Sequence, residues 1–183
     1  MSKGDPYSRW FATDGGISMT ATIPSFHVSS WSKAKGDGEI FIANRKDTAH
    51  SGTFKVSLGP GGGIHFDPAT DLYPTGTVTI TVDLTDDSFN GTFTSTNLEL
   101  MNSYGKYDPT IFVTGQCKAE GGPVAQLPQG CKFWLMIANN KKPNDPQTAD
   151  VVGFIVDDRK GNRIAYGTGP VRSGDFDVAP PGD

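Results

Sequence analysis

Residues 77–84 read Thr-Val-Thr-Ile-Thr-Val-Asp-Leu, a strict alternation of polar and apolar side chains. A β-strand with one face in a core and the other toward water has this period of two. The period recurs over 52–58, where Phe54, Val56 and Leu58 fall on one face. Further strands are predicted over 17–23, 26–32, 39–43, 110–117, 131–138, 150–157, 163–167 and 175–178. Asn90-Gly91 supplies the positive φ angles of a type I′ turn and predicts a hairpin between 86–89 and 92–94. Residues 133–138, Phe-Trp-Leu-Met-Ile-Ala, are apolar at every position. That predicts a central strand covered on both sides, with Trp134 in the core.

About ten to twelve short strands with no helical pattern between them define an all-β chain. Such strands close their edges either as an antiparallel two-sheet sandwich or as a closed barrel, and the period alone does not separate the two. The 183 residues suffice for one domain with its own core, spanning 1–183, with 1–9 and 179–183 as flexible tails. The 23 glycines and 13 prolines fit many tight turns. No repeat of fixed period points to a solenoid or propeller.

Charge removes one class of partner. Twenty acidic and sixteen basic residues give a net charge of −4, scattered along the chain, so no basic face is available for nucleic acid. No apolar run approaches the roughly 18–20 residues of a membrane-spanning helix. The opening Met1-Ser2-Lys3-Gly4-Asp5-Pro6 has no apolar stretch behind it and is not a secretory leader. The chain is therefore expected either to be cytoplasmic or to have lost a leader. Cys117 and Cys131 bear on that choice. Each adjoins a predicted strand across a Gly/Pro-rich loop, and a disulfide between them would staple the hairpin by about 3 kcal/mol and favour an extracellular or cell-surface location. The competing reading is two reduced cysteines acting as small hydrophobes.

Three segments, 133–137 (Phe-Trp-Leu-Met-Ile), 152–158 (Val-Gly-Phe-Ile-Val-Asp-Asp) and 161–167 (Gly-Asn-Arg-Ile-Ala-Tyr-Gly), resemble the closing hairpins of β-sandwich modules on bacterial extracellular proteins. The resemblance covers about a quarter of the chain. It implies a structural or adhesive role and no catalytic residues.

Candidate chemistry is sparse. His27, His50 and His65 lack the spacing that puts two ligands on one metal. Gly59-Pro60-Gly61-Gly62-Gly63 has no Lys-Ser/Thr after it and reads as a turn rather than a phosphate loop. Asp83, Asp86 and Asp87 offer oxygen ligands at close spacing, as do Asp157 and Asp158 with Asn162, so calcium is a candidate ligand at either cluster. Asp and Asn are also ordinary turn formers, and no other cofactor is indicated. There is no Gly-x-Ser-x-Gly elbow and no histidine near either cysteine in sequence. Asn90-Gly91-Thr92 is formally a glycosylation sequon, although a tight hairpin accounts for it as well.

Aromatic residues carry the remaining signal. Exposed rings stack on sugar faces, and Tyr104, Tyr107 and Trp31 are the candidate ligand-binding residues. The two tyrosines sit in a polar, turn-like segment that keeps their hydroxyls in water. The loops at 60–71, 120–129 and 141–148 are the longest unpatterned pieces and the expected place for a functional surface. Two functions follow. One is a non-catalytic β-module that binds a surface glycan, a protein partner or its own copies as a homo-oligomer. The other is a small-molecule-binding or catalytic barrel with its site in the mouth. A filled interior argues for the first, and a polar cavity of roughly 300 Å³ or more for the second.

Overall fold

The computed structural model describes residues 31–42, 52–84, 90–126, 130–145 and 147–182. Nine strands occur among them: β1 (Ser32–Ile42), β2 (Gly52–Leu58), β3 (Ile64–Phe66), β4 (Val78–Leu84), β5 (Gly91–Tyr104), β6 (Thr110–Glu120), β7 (Cys131–Ala138), β8 (Val151–Asp158) and β9 (Arg163–Val178). A 3₁₀ turn, Pro123–Gln126, interrupts the β6–β7 connection. The strands pair in the order β2-β4-β5-β6-β7-β8-β9-β1-β3, all antiparallel. A further ladder, with Gly36 opposite Leu58 and Ile42 opposite Gly52, joins β1 to β2. That ladder closes eight strands into a barrel. β3 lies outside the ring, against the beginning of β1.

Closure resolves the sandwich-or-barrel alternative in favour of the barrel, and it rests on two long strands that turn corners. The first half of β9 pairs with β8 and the second half with β1. β5 carries two bulges, at Thr96 and Glu99, which let it curve along the whole of β6. The segments expected as separate strands at 163–167 and 175–178 are the two halves of β9. The strands expected at 17–23 and 26–32 lie outside the described residues except for the final Trp31 and Ser32.

Alternation sends every second side chain inward, and an eight-stranded barrel is just wide enough for those side chains to fill it. Phe54 of β2 and Phe154 of β8 are not neighbours in the ring, yet their ring centroids meet at 4.8 Å. The lumen is therefore packed across its width. Phe93, Phe133, Phe176, Ile40, Ile80, Ile111 and Ile137 complete the fill, all at most 2% exposed. Space for the large rings comes from small residues on facing strands. A side chain at Gly38 would collide with the Phe176 ring, and one at Gly115 with the Phe133 ring.

Two expectations need correction. β7 is not covered on both sides: Phe133, Leu135 and Ile137 fill the lumen, while Trp134 points outward and is 40% exposed. In a closed ring each strand has only one inner face, so an all-apolar segment must show half its side chains to the outside. Asn90-Gly91 is not a two-residue hairpin turn either. Gly91 already pairs with Val82 inside the ladder. Asn90 instead caps the end of β4, its Oδ1 accepting from Leu84 N at 2.6 Å and its Nδ2 donating to Leu84 O at 3.3 Å.

Cys117 and Cys131 sit opposite one another on β6 and β7 and form the expected disulfide. At one end of the barrel, the buried Asp150 holds the β7–β8 loop. Its Oδ1 accepts from Asn140 N at 2.9 Å and Lys141 N at 3.0 Å, and its Oδ2 accepts from Phe176 N of β9 at 3.1 Å. No helix among the described residues is long and apolar enough to cross a membrane.

Candidate functional site on the outer wall

With the lumen packed, the described residues offer chemistry on the outer wall and the loops. The ladder registers fix which outward side chains are neighbours. Thr114, Trp134, Ile155 and Tyr166 form one row across β6, β7, β8 and β9. Phe112, Met136, Gly153 and Thr168 form the next. The two rows make a partly exposed apolar face with Trp134 as its most exposed large side chain.

A polar row borders this face. Gln116, Lys132 and Asp157 lie opposite one another on β6, β7 and β8. The bulge at Glu99 turns its carboxylate into the same row, where Gln116 Nε2 donates to Oε1 at 3.0 Å and Lys132 Nζ lies 3.0 Å from Oε2. The Gln116 hydrogen bond, then Lys132, hold the Glu99 carboxyl below the usual glutamate range. Farther along, Arg163 Nε donates to Asp157 Oδ1 at 3.1 Å, and its guanidinium stands 5.6 Å from the Tyr166 ring centroid. Lys132 Nζ stands 5.8 Å from the Trp134 centroid. Each aromatic ring is thus flanked by a cation that is itself tied to a carboxylate.

Where the rows meet, a shallow depression of about 440 Å³ opens to solvent, lined by Gln116, Lys132, Trp134, Asp157, Asp158 and Arg159. The Asp158 carboxylate builds the turn beside it. It accepts from Lys160 N, Asn162 N and Asn162 Nδ2, each at 2.8 Å, and the Asn162 contacts lower its pKa. Both oxygens of Asp158 and Oδ1 of Asp157 thus accept from protein donors, and those of Asp158 shape the turn. The Cys117–Cys131 disulfide lies at the same place and fixes the ends of the two strands that carry Gln116 and Lys132.

The residues singled out in the sequence fall elsewhere. Trp31, Tyr104 and Tyr107 all lie at the opposite end of the barrel from the disulfide. Trp31 is partly buried, edge-on to His65 with centroids 6.4 Å apart, and Tyr104 is edge-on to Phe112 at 5.7 Å. Only Tyr107 is strongly exposed. Asp83 is exposed and takes a bond from Asn90 Nδ2, whereas Asp86 and Asp87 lie outside the described residues. Among the described residues no three His, Cys, Asp or Glu side chains are grouped to hold a metal ion. A signal for the Trp134 site was present in the chain. Lys132, Trp134 and Met136 share one face of β7, and a lysine there shows that this face reaches water.

Comparison with protein-family models, with characterised proteins and with solved structures finds no match.

Proposed function

We propose that this chain is a non-catalytic saccharide-binding module that works from the outer wall of its barrel, in an oxidising, extracellular setting. The observation that carries the reading is the exposed Trp134 indole in a solvent-open depression with amide, carboxylate and ammonium groups around its edge. A pyranose has an apolar C–H face that packs on an indole, and hydroxyls around its rim that hydrogen-bond to planar polar groups. Gln116 and Asp157 are such groups on the strands either side of Trp134. The disulfide at the site supports the oxidising setting.

Magnitudes point to a weak site for one sugar unit. About a dozen non-hydrogen atoms at roughly 0.3 kcal/mol each give about 4 kcal/mol, or a Kd of about 1 mM. Useful affinity then requires a longer chain lying along the Thr114–Tyr166 row. The test is a glycan array followed by titration of hits with the indole N–H resonance of Trp134 as reporter. The expected outcome is a perturbed Trp134 resonance and loss of binding in Trp134→Ala. Absence of any glycan hit, or hits that Trp134→Ala retains, would refute the reading.

A second reading, self-association through the same wall, draws on the apolar extension of the face over Phe112, Met136 and Ile155. Sedimentation over a range of concentrations distinguishes it. A dimer abolished by Trp134→Ala would favour assembly.

A further inference from the structure

The depression beside Trp134 contains one charge that the wall does not compensate. Two cations line it, Lys132 and Arg159. Lys132 Nζ is tied to Glu99 at 3.0 Å, and the neighbouring Arg163 is tied to Asp157 at 3.1 Å. Asp158, next to Arg159 in sequence, accepts instead from Lys160 N, Asn162 N and Asn162 Nδ2. Arg159 itself is exposed and makes no ion pair among the described residues. Glycines leave the space around it open. A side chain at Gly130 would stand 3.8 Å from Arg159 Nε, and one at Gly161 would meet nothing within 4 Å. The turn that carries Arg159 is fixed, with Asp158 N donating to Asn162 O at 2.8 Å and Gly161 N to Asp158 O at 3.0 Å. The arginine is thus anchored at its backbone and presented to solvent.

We infer that the saccharide taken by this wall is acidic, a chain of hexuronic acid units in which one carboxylate is received by Arg159 while the adjoining unit packs on Trp134. The inference rests on the saccharide reading above and names its ligand class. A guanidinium presents paired N–H donors in one plane, which match the two oxygens of a carboxylate, and such charge-assisted pairs are about twice as strong as neutral hydrogen bonds. Neutral sugar hydroxyls would leave that fork half used. The other charged side chains at the site do not compete for the carboxylate, because Lys132 is matched to Glu99 and Asp157 to Arg163. Arg159 is therefore the group that sets the charge preference. At about 440 Å³ the depression has room for more than one ring, so the indole and the guanidinium serve adjacent units of the chain.

The experiment is titration of the full chain, followed by its backbone amide resonances, with hexamers of glucuronic, galacturonic and mannuronic acid. Each is compared with its carboxyl-reduced counterpart, which keeps ring and linkage and loses only the charge, and a sulfated neutral hexamer controls for charge of another kind. The expected result is a uronate that binds about tenfold more tightly than its reduced counterpart, an advantage that high salt diminishes. Arg159→Gln removes the advantage and leaves affinity for the reduced hexamer unchanged. Arg159→Lys, which keeps the charge without the fork, restores only part of it, and Trp134→Ala weakens both members of the pair. Arg159 is exposed, so unchanged denaturation midpoints will show that its variants fold. Equal binding of every uronate and its reduced counterpart, or a preference that Arg159→Gln retains, would overturn this inference and leave the saccharide reading standing. Tighter binding of the sulfated hexamer than of any uronate would overturn it as well. No binding by any hexamer would also overturn it, and the glycan array then decides the saccharide reading separately.

Discussion

Gly115 of β6 sits directly opposite Phe133 of β7, and the Phe133 ring occupies the space that a side chain at 115 would need. A Cβ at 115 would also come within 2.2 Å of the Asn97 carbonyl, beside the first bulge of β5. Neither neighbour can yield, because one is backbone and the other fills the lumen. Gly115→Ala is expected to cost at least about 2 kcal/mol by overpacking, measured by chemical denaturation.

Phe133 and Trp134 are adjacent in sequence and opposite in fate. Phe133→Ala empties part of the lumen and should cost about 3–5 kcal/mol. Trp134→Ala removes a side chain that already faces solvent and should cost less than about 1 kcal/mol. Similar losses for the two variants would contradict the inward–outward assignment of β7.

Asp150 is buried and its carboxylate satisfies three backbone N–H groups from two different segments. Asp150→Ala leaves those donors without their acceptor and should cost about 3 kcal/mol or more. Asp150→Asn keeps one carbonyl oxygen but can set an amide N–H against the Phe176 N–H, so an intermediate loss is expected. Thermal melts of both variants check the order.

Glu99 gives the polar row a pH dependence whose sign is fixed by its lowered pKa. A carboxyl held below its unfolded value contributes stability above the unfolded pKa, about 4.3, and that contribution disappears as pH falls through the folded value. Its partly exposed position keeps the contribution below about 1 kcal/mol. Between pH 6 and pH 3 the parent protein should therefore lose slightly more stability than Glu99→Gln, as read from denaturation midpoints.

The Cys117–Cys131 bridge closes a loop with a sequence separation of 14. Replacing both cysteines by alanine should lower stability by about 3 kcal/mol, chiefly by loosening the unfolded chain. If the Trp134 depression binds saccharide, affinity should fall by less than stability does, because Gln116 and Lys132 remain tied to Glu99.

Local pattern carried the strands and left their closure open. The expected bounds of β2 and β7 coincide with the observed ones, because alternation and flanking turn residues are local signals. Whether β1 meets both β2 and β9 depends on pairing between distant segments, which a period of two does not encode. Trp134 misled for a related reason. An all-apolar run looks buried on both faces until the ring is known to have a single inside, although Lys132 on the same face already pointed outward. The candidate site was hidden more deeply, since Glu99 joins it only through a bulge and Asp157 only through a neighbouring strand.

The two ends of the described barrel leave it together. β1 begins and β9 finishes at the same rim, where Gly182 N bonds to Trp31 O at 3.1 Å and Ala179 N to Lys33 O at 2.9 Å. A tensile load applied through those two points would act on one bond of the β1–β9 ladder at a time, peeling the strands apart like a zip rather than shearing them. Held from that rim, the barrel hangs as a bead beside the line of force, and it would open at low tension where a shear-loaded module would resist.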